Sequence, residues 1–248
     1  MTRFVAEPLN TFSNLSFVIL GIIGALHEAN ERAKRSYILM YLTVSAIGLG
    51  SMAFHGTLTF LGQQLDELPM VWFLLGCMFV VNNDAMGTPH QKSLVSAMLL
   101  AYALVFSAGH IRFKTTTAFQ VHFATLLGLL LLRVYQRFRT TDVGDDGRHV
   151  IKLFAGSGVL AFACWLVDYH GCSWFADRNN WPFQFVPNGH VWWHLLMGYC
   201  AYCSVVMLKV LEAREKAKPI EIRYRMGLPL AYKLGAFDLE RGKGSQIF

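Results

Sequence analysis

The chain has 248 residues, of which 54% are hydrophobic and only 15% charged, with a formal net charge of +6 and a mean hydropathy of +0.37. A soluble domain carries about 25% charged residues, so the composition excludes an ordinary water-soluble fold and points to a membrane. The basic excess therefore speaks to topology and lipid surface, not to nucleic acid. The cysteines Cys77, Cys164, Cys172, Cys200 and Cys203 give no disulfide framework.

Seven stretches approach the ~20 apolar residues needed to cross a bilayer. They run roughly over 8–27, 36–58, 66–83, 93–110, 116–134, 150–169 and 190–211. The expected fold is an all-α membrane protein, a seven-transmembrane helix bundle forming one domain over 1–211. A basic, flexible cytosolic tail is expected over 212–248. With no basic leader and cleavable apolar core read ahead of it, the first span is expected to serve as the insertion signal. Cys200 and Cys203 form a CxxC inside an apolar helix, where thiols are ordinary packing groups.

Charge orients the spans. Loop one carries Arg32, Lys34 and Arg35, and loop three carries Lys92. Loop five carries Arg133, Arg137, Arg139 and Arg148, and the tail is again rich in Lys and Arg. The other side has Arg3, Arg112, Lys114 and Arg178. Basic loops stay in the cytosol, which predicts a lumenal or exterior N-terminus and a cytosolic C-terminus.

Ionisable groups at membrane depth are costly and mark sites. On this topology they gather toward the lumenal edge. Span one opens with Glu7, Asn10, Ser13 and Asn14. Span two ends with Ser51 and His55, span three opens with Asp66 and Glu67, and span six ends with Asp168. Span seven opens with His190 and His194. Residues four apart share a helix face, so His190 and His194 can offer two imidazoles to one ion, with His55 as the third. Three histidines leave a tetrahedral zinc one open position, the catalytic arrangement.

Each candidate also has a structural reading. The histidine pair also fits an interfacial aromatic belt with Trp192 and Trp193. Ser51 is either an oxyanion donor or a packing serine beside Gly48 and Gly50. Asp66 is either a proton acceptor or the cap of span three, with Glu67 and Pro69 in its first turn. Asp168 is either a partner of a histidine or a helix-end residue. His27, His90, His110, His122, His149 and His170 lack comparable spacing and receive no chemistry.

The segments "EPLNTFSN", "GSMAFHGTLTFLGQQLDELPM" and "NGHVWWHLL" resemble the alkaline ceramidase family. The resemblance extends over nearly all spans. It implies zinc held by His55, His190 and His194, and catalytic roles for Asp66 and Ser51. It further implies hydrolysis of the amide of ceramide to a sphingoid base and a fatty acid, in the endoplasmic reticulum or Golgi membrane with a lumenal site. Ceramide and membrane lipid are the implied partners, and no obligate protein partner is inferred. Family members also bind calcium through an acidic segment before the first span. Only Glu7 matches here, as a residual ligand, so little calcium dependence is expected, unless ligands around Asp177 substitute. Two other classes stay open: a non-enzymatic seven-helix lipid-sensing receptor with a structural zinc, as in adiponectin-receptor-like proteins, and another membrane lipid hydrolase.

Overall fold

The computed structural model describes residues 5–83, 86–176 and 189–233. Seven helical segments in it are long and apolar enough to cross a membrane. The first is bent, α1 (Pro8–Ser13) passing to α2 (Leu15–Asn30) at Asn14. The others are α3 (Arg35–Thr57), α4 (Phe60–Asn82), α5 (Pro89–Phe113), α6 (Thr116–Phe138), α7 (Gly144–Ala176) and α8 (Gly189–Glu215). At about 1.5 Å per residue, the 23-residue α3 reaches ~34 Å, enough for a ~30 Å hydrocarbon core.

The packing is lopsided. Helix α8 runs through the middle, and Tyr202, Val205, Val206 and Val210 are buried against Tyr41 and Val44 of α3 and Val71 of α4. The Tyr41 and Tyr202 rings meet at 5.3 Å. Helix α5 is peripheral, with His110 as its one buried residue. Its outer face shows Leu100, Leu104 and Val105, side chains suited to lipid.

Two glycines set close helix contacts near the histidines. A Cβ on Gly50 would sit 1.8 Å from the Leu65 carbonyl oxygen of α4. That oxygen has no i+4 donor, because residue 69 is proline, inside the helix. The glycine thus lets α3 approach α4 where α4 carries Asp66. Likewise a Cβ on Gly189 would lie 2.4 Å from the Cys164 carbonyl oxygen, so α8 begins pressed against α7.

Two expectations need correction. Span three begins at Phe60, not at Asp66. Thr59 caps α4, its side chain accepting from Gly62 N at 3.1 Å. Asp66 therefore lies inside the helix and is not its cap. Second, the chain after 212 is not a loose tail throughout. Helix α8 continues to Glu215, and β1 (Ile220–Arg225) pairs antiparallel with β2 (Leu228–Lys233). Met226 and Gly227 both have positive φ, 51° and 79°, as a two-residue hairpin turn requires. The hairpin docks on the bundle: buried Lys209 of α8 donates to Ala231 O at 2.7 Å and pairs with buried Glu28 of α2 at 2.8 Å. Residues 234–248 of the expected tail lie outside the described residues. Helix α7 also outruns its predicted end, so Cys172 falls on helical backbone.

One end of the bundle gathers the basic residues. Lys34 pairs with Glu212, Arg137 with Glu215, and Arg133 Nε donates to Asn82 Oδ1 at 2.9 Å. The histidines stand at the opposite end.

Candidate metal centre

His55 is on the last turn of α3, and His190 and His194 are on the first two turns of α8. The ring centroids lie 5.0, 5.0 and 4.5 Å apart, and one nitrogen from each falls within 4.8 Å of the others. His55 and His194 are buried and His190 is half-buried. The three side chains form a group that could hold a metal ion.

The bent first span supplies the surroundings. Its entry is tied to the end of α3, with Ala6 N donating to Gly56 O at 3.1 Å and Glu7 N to His55 O at 3.0 Å. Glu7 Oε2 lies 2.6 Å from His55 Nδ1 and also accepts from Asn10 Nδ2 at 3.0 Å. Burial raises the Glu7 carboxyl pKa, but the hydrogen bonds from Asn10 and His55 and the nearby imidazoles outweigh it and leave it lowered. As a carboxylate it can only accept. His55 Nδ1 therefore carries the proton and Nε2 presents a lone pair to the centre.

The same logic fixes His194. Ser13 Oγ donates to Asn10 O at 2.9 Å, so at 2.7 Å it accepts from His194 Nδ1. That leaves Nε2 as the unprotonated nitrogen of His194, with Asn14 Nδ2 3.5 Å from it. His190 Nε2 stands 3.3 Å from His55 Nε2. Two nitrogens on a tetrahedral zinc, each at about 2.0–2.1 Å, lie about 3.3–3.4 Å apart. Donor type, tautomers and spacing thus suit zinc. Asn10 Oδ1 and Asn14 Oδ1, both buried, have no hydrogen-bond partner among the described residues. The pocket keeps polar capacity that water or a substrate amide can use.

Ser51 is buried one turn before His55 on α3. Its hydroxyl is the side-chain hydrogen-bonding partner of the half-buried Asp66. Asp168 on α7 packs against the start of α8, its Cβ 3.0 Å from where a Gly189 Cβ would stand, and its charge acts on His190. Asp177 lies outside the described residues.

Some of the network had no counterpart in the sequence reading. Glu67 Oε2 lies 2.5 Å from His110 Nε2, both buried, and Glu67 Oε1 accepts from Gln63 Nε2 at 3.0 Å. This pair holds α5 to α4 beside Asp66. A depth argument would have found it, because His110 ends span four at the level where Ser51 and His55 end span two.

Residues 1–232 match the family model described as Ceramidase. The chain belongs to the ceramidase family. This ceramidase-family chain is 26% identical over 227 residues to an alkaline ceramidase of Arabidopsis thaliana, covering 92% of this chain and 86% of that protein. It is 31% identical over 219 residues to alkaline ceramidase 3 of Mus musculus, covering 83% and 78%. Against alkaline ceramidase 1 of Homo sapiens the identity is 27% over 232 residues, covering 90% and 84%. The matched region spans the bent first helix, the α3–α4 corner and the start of α8, the three places from which the candidate centre is built.

Proposed function

We propose that the chain is a zinc-dependent hydrolase that cleaves the amide bond of ceramide to a sphingoid base and a fatty acid. The observation that carries this is the convergence of His55, His190 and His194, with Glu7 and Ser13 at the Nδ1 atoms of His55 and His194. The printed names of the relatives supply the substrate class. A zinc ion held by these histidines would polarise the amide carbonyl and lower the pKa of a water molecule.

The chain's own groups account for the rest of the reaction. Asp66 takes a proton from the attacking water and returns it to the leaving amine. Ser51 donates a hydrogen bond to the oxyanion as it forms. Glu7 holds the His55 ring by its Nδ1–H, and Ser13 holds the His194 ring. Ceramide suits a site at one end of a lipid-exposed bundle: its two chains remain among helices and lipid while the amide reaches the polar cluster. Purified protein given a ceramide panel alongside fatty-acid esters tests the reaction class. Free fatty acid and sphingoid base from ceramide are expected, and release from esters alone would refute an amidase.

Topology follows from the positive end. If the end with Lys34, Arg133 and Arg137 is cytosolic, the histidines face the lumen of the endoplasmic reticulum or Golgi. A C-terminal tag in sealed microsomes should then be cut by added protease and an N-terminal tag spared. The reverse pattern overturns the lumenal site.

Glu7 distinguishes a calcium role from a zinc-supporting one. Its Oε2 is already engaged by His55 and Asn10, whereas calcium takes 6–8 oxygen ligands. Glu7→Gln should lower activity about 10–100-fold by loosening His55, as loss of an outer partner does at metal sites. Removing calcium with a chelator that spares zinc should change activity little. Loss of most activity, restored by calcium, would contradict this assignment.

A further inference from the structure

Two cavities meet at the basic end of the bundle. The first, about 260 Å³, has Lys34, Ser36, Asn83, Lys92 and Glu212 in its lining. The second, about 650 Å³, is a groove between α3, α4 and α5 lined by apolar groups such as Met40, Trp72, Leu99 and Leu104. Ser36, Phe79 and Val80 line both, so the two are continuous. The groove stays open because α5 packs loosely, its one buried residue, His110, lying at the far end.

Among the described residues that line the first cavity, the charges do not cancel. Glu212 is the partner of Lys34, of Lys216 at 2.5 Å and of the Tyr37 hydroxyl at 2.5 Å. Its charge is therefore met more than once. Lys92, half-buried in the first turn of α5, has no ion-pair partner among the described residues. Helix α3 starts at the same place without a side-chain cap, which adds the positive end of its dipole. A positively charged cavity opening into an apolar, lipid-facing groove matches a phosphate carrying an acyl chain. Basic pockets between membrane helices recognise anionic headgroups on these grounds.

We propose that this continuous cavity binds one anionic membrane phospholipid. Lys92 and Lys34 hold the phosphate, Ser36 offers it a hydrogen bond, and one acyl chain fills the groove between α5 and the α3–α4 pair. The site is separate from the histidine cluster. Ser36 and His55 are 19 residues apart on one helix, or about 28 Å. The lipid is therefore a bound component that supports α5, and not the substrate.

Native mass spectrometry of the full chain tests this. The protein is stripped of lipid in mild detergent and incubated with phosphatidylglycerol or phosphatidylcholine of identical acyl chains. One phosphatidylglycerol per chain should be retained in clear preference to phosphatidylcholine. Lys92→Glu should weaken its retention at least about fivefold, the weight of a single lysine near anionic lipid. Gly76→Leu should abolish retention by filling the groove. A Cβ there meets only Met40 Cγ at 3.7 Å, so the bundle accommodates the start of the side chain. Should Gly76→Leu lower the lipid-free melting temperature, Ala103→Phe blocks the same groove from the loosely packed α5. Equal retention of both lipids, retention unchanged in Lys92→Glu or in a folded groove variant, or a chain dimer in place of bound lipid would overturn the proposal. Displacement of the lipid by soluble glycerol 3-phosphate at equal concentration would do so too, since the groove would then contribute nothing.

Discussion

Asp66→Asn is expected to lower ceramide turnover by about 10³-fold, within the range for loss of a positioned general base. The structure makes this a test of chemistry and not of folding. Thr59, not Asp66, caps α4, so no helix end is lost, and asparagine preserves the volume beside Ser51. Metal content measured on the same sample should stay at the wild-type level. Ser51→Ala should cost less, about 10²-fold, because it removes one oxyanion donor while carbonyl polarisation remains. If Asp66→Asn turns over at nearly the wild-type rate, the proton acceptor lies elsewhere, and Asp168 at the start of α8 is the carboxylate to examine next.

His194→Ala should have the largest effect of any single change. It removes a ligand from the buried face of the centre and leaves two histidines and the Ser13 hydroxyl behind. Zinc per chain is expected to fall far below one. Turnover should fall by much more than the roughly 100-fold that loss of an outer partner such as Glu7 costs. His110→Ala is the matched control: it removes another buried histidine, but one paired to Glu67. That variant should lose thermal stability, because the buried Glu67 carboxyl keeps only Gln63 as a partner, and keep its zinc. Elemental analysis beside a melting curve separates the two. Retention of one zinc in His194→Ala would remove that residue from the ligand set.

The histidine cluster was legible in the sequence because H-x3-H on an apolar helix has few structural uses, and because His55 sits at the same depth. Their supports were harder to read. Glu7 read either as a residual calcium ligand or as a contact to the histidine pocket, and nothing in a linear sequence shows that the chain entry hydrogen-bonds to the end of α3. Ser13 and Asn14 read as polar residues near a helix start. Only the bend at Asn14 brings them to His194, Asn14 Nδ2 lying 3.2 Å from its Nδ1. The start of span three was misplaced because hydropathy marks the apolar run from Asp66, whereas the helix begins where Thr59 offers a cap. The hairpin after 219 was hidden for a similar reason. Its turn is Met-Gly and lacks the Asn-Gly or Asp-Gly signal, and a high density of Lys and Arg suggested a loose tail. What anchors it is the buried Lys209–Glu28 pair, a contact between helices far apart in sequence.

If three histidines hold the metal on which ceramide cleavage depends, reversible metal removal must switch turnover off and on. Zinc per chain and fatty acid released from ceramide are measured on one preparation: as purified, after stripping with a strong zinc chelator, and after stoichiometric zinc is returned. One zinc per chain is expected at the start, with loss of turnover in proportion to zinc removed and recovery with one equivalent. Undiminished turnover in protein stripped of metal would contradict it.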